Sequence, residues 1–281
     1  MLQGNQNILL KLGGGKARTE IVIPYRISLD RFKSPGVGTF GGFYTSAANI
    51  DWEILFHELV LKFNSINEFE IVFPPEYFEK ALFNSQLAAC LQMFKPQEIV
   101  DLNQHVEIGG DCEGLLSKGN RKKLRQFKES SGVVKVAAPS DLDSAIQLLQ
   151  DSRKRMGVQL SMSKEKIKES FEKLPDRYTC YQAIVGENLA AAAMVVKISS
   201  DTNYVLYWGD SADSGRRLSP TVALFEAIYT DSQRNGFQVL DLGISSVNGE
   251  VNAGLRRFKT NLGAKESSRS RVVFQNPINL A

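Results

Sequence analysis

Apolar residues recur along this chain at strand spacing and helix spacing in turn, and the elements follow from that alternation. Ile8–Leu12 and Glu20–Ser28 are short apolar-rich runs on either side of Gly13-Gly14-Gly15, which predicts a hairpin. After the glycine-rich loop Ser34–Phe43, residues Trp52, Leu55, Phe56, Leu59, Val60 and Phe63 fall three and four apart. They predict a helix over Asp51–Phe63. Glu70–Phe73 reads as a strand stopped by Pro74-Pro75, Glu76–Gln92 as a helix and Glu98–Asn103 as a strand. Residues 107–131 are a charged bridge. The alternation then restarts with strand Val133–Ala138, helices Asp141–Arg155 and Lys164–Leu174, and strands Tyr178–Gly186, Leu189–Ser199 and Asn203–Asp210. Ser219 as N-cap and Pro220 at the first helical position open a helix striped by Val222, Phe225, Ile228 and Tyr229. Asn235-Gly236 ends it, and Gln238–Leu242 is again a strand. The pattern predicts an α/β protein of two lobes, 1–106 and 132–281, joined by a basic connecting helix over 107–131.

Composition narrows the class without changing the picture. Hydrophobic residues are 43% and charged residues 23%, the balance of a folded globular chain. No apolar run reaches the length of a membrane span, and Met1–Lys16 lacks a signal-peptide core, so a cytoplasmic location is the expectation. Cys90, Cys112 and Cys180 are scattered, as are His57 and His105. That argues against a disulfide framework and against zinc or another metal, and a Ser-His-Asp or Cys-His mechanism is poorly supported because no nucleophile elbow or cysteine motif accompanies these residues. The net charge of +3 admits an anionic ligand without requiring nucleic acid.

Candidate chemistry concentrates in the second lobe. The strand Tyr204–Trp208 runs into a polar loop, and Gly215, Arg216, Arg217 and Ser219 sit at the start of the next helix. There, backbone N–H groups, the helix dipole and guanidinium forks suit a phosphate or pyrophosphate. An ordinary exposed strand-to-helix loop explains this segment equally well. Further on, Asp241-Leu242-Gly243-Ile244-Ser245 precedes Asn252–Ala264, which contains Phe258-Lys259 and Gly263.

With the basic run Asn120–Arg125, and with Ser34-Pro35 and Phe40-Gly41-Gly42 in the first lobe, this ordered set resembles the FemAB family. That family is a two-lobed form of the GCN5-related acetyltransferase (GNAT) type. The resemblance implies two GNAT-like lobes, the first truncated, each a mixed central sheet flanked by helices. It also implies transfer of an acyl or aminoacyl group to an amine. The donor implied is acyl-CoA, such as acetyl-CoA, and the acceptor a small or cell-wall-related amine. GNAT coenzyme loops read Arg/Gln-x-x-Gly-x-Gly/Ala, whereas Ser214–Ser219 here has one glycine. The charged coiled-coil arm of tRNA-dependent members is also missing, so tRNA is not favoured. The alternatives are aminoacyl-tRNA-dependent transfer to a peptidoglycan precursor, and a non-catalytic binding protein of the same fold.

Helical projection places Val251, Leu255, Phe258 and Leu262 on one apolar stripe, with Lys259 and Asn252 on its flank. The family's Phe-Lys motif makes Lys259 the first candidate, its ammonium stabilising charge on the carbonyl oxygen or on a phosphate. Asp241 and Asp210 end strands and are candidates for the base or for orienting the amine, although Asp is also a common turn residue there. Tyr207 and Trp208 are expected to line the same region. Around Leu124 and Phe127, Arg121, Arg125 and Lys128 gather on one flank while Lys122 faces solvent, which makes Arg121 a candidate for binding an anionic substrate, although a solvated charged face explains the run almost as well.

Overall fold

The computed structural model of the chain describes residues 6–12, 19–36, 38–47, 50–213 and 218–280. It divides into two compact units that interleave along the sequence. The first comprises residues 1–103, 244–252 and 267–281, and the second 104–243 and 253–266. The boundaries expected from chain order keep 132–281 together. The structure instead returns the last strand to the first unit, where it pairs with a strand laid down some two hundred residues earlier.

In the first unit the expected hairpin is β1 (Gln6–Leu12) and β2 (Thr19–Ser28), an antiparallel pair whose turn lies outside the described residues. β3 (Arg31–Ser34) follows, then α1 (Trp52–Lys62), capped by the Asp51 carboxylate accepting from the Ile54 N–H at 3.1 Å. β4 (Glu68–Val72), α2 (Lys80–Phe94) and the opening residues of β5 (Gln97–Glu107) complete the first pass. The strand order is β1-β2-β3-β4, then β13 (Lys265–Gln275), then β5. The sheet is mixed: β3 runs parallel to β4, while β13 is antiparallel to it, with Arg271 opposite Val72 and Gln275 opposite Glu68. The core of this unit is aromatic. Phe274 stacks on Phe69 at 5.2 Å and on Phe94 at 4.1 Å, and Phe43 meets Phe56 edge-on at 4.9 Å.

The second unit continues β5 and adds a short helix α3 (Cys112–Leu115), α4 (Lys118–Glu129), β6 (Gly132–Val136), α5 (Leu142–Arg155) and α6 (Lys164–Lys173). Next come β7 (Tyr178–Val185), β8 (Asn188–Lys197), β9 (Thr202–Asp210), α7 (Pro220–Arg234), β10 (Val239–Ile244) and α8 (Ala253–Thr260). Its strands lie in the order β5-β10-β9-β8-β7-β6, antiparallel from β9 outward and parallel between β9 and β10. Helices cover both faces, so the central strand must be apolar on both sides. The run Ala190–Ala193 of β8 meets that need, and its small side chains let both helical layers approach. Ala191 and Ala193 pack with α4 and α7, while Ala192 and Met194 pack with α5 and α6. Two short strands, β11 (Ser246–Val247) and β12 (Glu250–Val251), form a separate hairpin in the first unit.

Among the described residues no helix is long and apolar enough to cross a membrane, and no group of three or more His, Cys, Asp or Glu is placed to hold a metal ion.

Candidate active site

The site is built where β9 and β10 part. These parallel strands pair only at Val239–Asp241 against Thr202–Tyr204, and then β9 runs on to Asp210 and β10 to Ile244. Strands that pair and then diverge leave backbone N–H and C=O groups facing a slot, where a ligand can use them in place of a neighbouring strand.

Three residues meet at the head of this fork. Gly243 sits at φ +77°, a left-handed conformation that favours glycine, and a Cβ there would lie 3.0 Å from the Tyr204 hydroxyl. Its N–H donates to Asp241 Oδ1 at 2.6 Å, and its carbonyl accepts from Lys259 Nζ at 2.8 Å. Asp241 and Lys259 are both fully buried, at 0% and 1% exposure. One residue thus links a buried carboxylate to a buried ammonium, through the two peptide groups that flank its Cα.

Lys259 is the only buried residue of α8. The projected stripe differs: Val251 is exposed, Leu255 and Phe258 are half-buried, and Leu262 alone is in the core. The helix is short, Ala253–Thr260, and is set by polar anchors more than by its apolar side. The fully buried Gln104 donates to the Arg256 carbonyl at 3.2 Å and to Thr260 Oγ1 at 3.1 Å. The Asn261 carbonyl just beyond accepts from the Ser117 N–H at 2.9 Å and Asn120 Nδ2 at 3.0 Å. A buried lysine is stable only when its charge is answered, and here a carbonyl helps to do so. Gln104→Ala is expected to cost about 1–2 kcal/mol by removing both anchoring hydrogen bonds, read as a lower midpoint in urea unfolding.

The candidate residues separate into three groups. Asp241 and Lys259 come together through Gly243, and Trp208 reaches the same helix α8, packing edge-on against Phe258 at 5.4 Å. Tyr207 points to the opposite face, since consecutive strand residues alternate. It is buried against α5, with its hydroxyl 2.5 Å from Ser161 Oγ and accepting from the Met162 N–H at 3.1 Å. Tyr207 and Trp208 therefore do not line one region. Asp210 is held at the far end of β9 by Arg155, at 3.3 Å. Arg121 is exposed, its guanidinium 3.4 Å from the Glu113 carbonyl, and Asn252 is an exposed residue of the first unit. Gly215, Arg216 and Arg217 lie outside the described residues. Ser219 occupies the N-cap position of α7 at φ +43°, without a side-chain bond into the helix, and Pro220 is its first helical residue.

Sequence patterns missed Gln104 and a second polar centre in the first unit. There the buried Asp101 accepts from Ser246 Oγ at 2.7 Å, the Gly249 N–H at 3.1 Å and the Arg269 guanidinium at 3.2 Å. Burial works to raise the Asp101 pKa, but these donors outweigh it and hold the carboxyl below its ordinary value. The available signal was the polar run Asp101–His105 inside a strand, where four of five residues are polar and buried. The cysteines take no such part. Burial pushes the Cys90, Cys112 and Cys180 thiols up to about 12, far from a nucleophilic thiolate.

Residues 117–260 match the family described as "Acetyltransferase (GNAT) domain", just over half of the chain. Among solved structures, FemX is similar with a TM-score of 0.66 at 11% identity, over 95% of this chain and 88% of that one. L-PGS from Bacillus licheniformis is similar at TM-score 0.62 and 10% identity, over 92% and 83% of the two chains. A tandem GNAT protein from the clavulanic acid biosynthesis pathway follows at TM-score 0.55 and 9% identity, over 94% and 81%. At such identities the likeness shows the fold. No curated protein matches this sequence.

Proposed function

The chain belongs to the acetyltransferase (GNAT) domain family, and from that premise we propose that it transfers an acyl group from a thioester, acyl-CoA, to an amine. The observation that carries this reading is the parting of β9 and β10 beyond Asp241, with the Asp241–Gly243–Lys259 link at its head. The opened edge of β9 offers backbone donors to the donor's carbonyl, and fixed dipoles there stabilise the oxyanion that forms as the amine attacks. The new C–N bond forms as the C–S bond breaks, and the thiol leaves with a proton taken from the amine.

In this reading Asp210, half-exposed and oriented by Arg155, accepts that proton or positions the amine. Asp241 is too deeply buried to meet the acceptor and instead fixes Gly243. The Lys259 ammonium holds the peptide on the other side and contributes positive potential to the slot. Gly215, Arg216, Arg217 and Ser219 are proposed to receive the donor's pyrophosphate, and Arg121 to meet the acceptor, a small or cell-wall-related amine. Direct attack without a covalent intermediate agrees with the buried, protonated thiols.

Thermal unfolding with acetyl-CoA, longer acyl-CoAs and charged tRNA tests the donor. A saturating acyl-CoA is expected to raise the midpoint by roughly 5 °C, the effect of ~100 Kd of ligand on a chain of this size. Stabilisation by charged tRNA alone would replace the donor, and no response to any of them would overturn the reading.

A further inference from the structure

Helix α4 carries charge that its surroundings do not answer. Asn120, Leu124 and Phe127 face inward and are buried. Lys118, Lys122 and Arg125 project from the opposite side, with Arg121 on the flank, and all four are exposed. The helix holds six cations and one acid, Glu129. Within α4 only Lys128 forms an ion pair among the described residues, to Glu226 at 3.2 Å and Glu113 at 3.8 Å.

Helix α6 of the same unit shows what a merely solvated charged helix looks like. Its Lys166 and Lys173 both bond Glu169, at 2.7 and 2.6 Å, while Lys164 and Lys168 share Asp143. Compensation of that kind stabilises a helix, whereas Lys118–Lys122 and Arg121–Arg125 place like charges one turn apart, which works against it. A face kept cationic at the helix's own expense fits an anionic partner.

We propose that this outward face of α4 docks the protein on the surface of an anionic lipid bilayer. An amphipathic helix that presents four exposed cations suits a negatively charged membrane, where each cation adds to a shared surface attraction. Single-stranded nucleic acid calls for aromatic platforms on which bases stack, and none of the exposed large apolar side chains among the described residues is aromatic. The docking rests on Lys118, Lys122 and Arg125, none of which has a part in the proposed acyl transfer.

Flotation of the full chain with phosphatidylcholine vesicles, with and without about a third phosphatidylglycerol, is the test. The chain is expected to float with the anionic vesicles only, and to be released at about 0.5 M salt, where the Debye length is only a few ångströms. The triple variant Lys118→Gln, Lys122→Gln and Arg125→Gln should lower partitioning by about a hundredfold. A control, Lys62→Gln, Lys80→Gln and Lys95→Gln, removes the same charge from exposed positions of the first unit and should lower it far less. Both variants should unfold within a few degrees of the parent, since every altered residue is exposed. Equal losses in the two variants, or equal flotation with neutral vesicles, would overturn the proposal. So would binding of bulk tRNA without binding of anionic vesicles.

Discussion

Lys259→Ala is expected to slow acyl transfer by about a hundredfold or more, the scale of losing one preorganised charge donor, whereas Lys122→Ala stays within about twofold. The two lysines differ in what surrounds them. Lys259 is buried at the fork of β9 and β10 and donates to the Gly243 carbonyl, while Lys122 projects from α4 into solvent. The charge of Lys259 acts in a medium that screens it poorly, and that of Lys122 acts in water. Lys259→Met separates the charge from the packing, because it keeps most of the side-chain volume and removes the ammonium. If the role is electrostatic, Lys259→Met is as slow as Lys259→Ala at saturating donor and acceptor. Recovery of most activity in Lys259→Met would reduce the lysine to a filler of space. Equal effects of the Lys259 and Lys122 substitutions would discard its role altogether.

How much of this was legible in the sequence depends on where the information lies. α1, α5 and α7 are local amphipathic patterns with their own stop signals, and their bounds fall within a residue or two of those read from spacing. The strands β7 to β9 were equally plain. The fate of β13 was not, because its pairing with β4 joins residues about two hundred positions apart and no local pattern encodes it. Asp241 and Lys259 were found through the family's motifs. Their juxtaposition through Gly243 was not, since projection of an ideal helix puts Lys259 beside the apolar stripe, while the buried Gln104 and the Asn261 carbonyl roll the short α8 so that the lysine faces inward. Alternation within β9 alone would have separated Tyr207 from Trp208.

The glycine at the centre of this link gives the second large effect. Gly243→Ala is expected to destabilise the protein by about 2–4 kcal/mol and to lower its unfolding midpoint by roughly 5–10 °C, combining left-handed strain with a forced contact. Gly236 is the natural comparison. Its φ of +78° is almost the same as the +77° of Gly243, but a Cβ there meets nothing within 4 Å. Gly236→Ala therefore carries the backbone penalty alone, about 1 kcal/mol. The excess cost of Gly243→Ala measures the push of the new methyl against the Tyr204 hydroxyl. That push also shifts the carbonyl that receives Lys259 and the N–H that holds Asp241, so the loss should extend to kcat with stability restored by low temperature. Equal costs for the two alanines would mean that Tyr204 yields freely. An unchanged kcat in a folded Gly243→Ala protein would mean that the Asp241–Gly243–Lys259 geometry is not what the reaction uses.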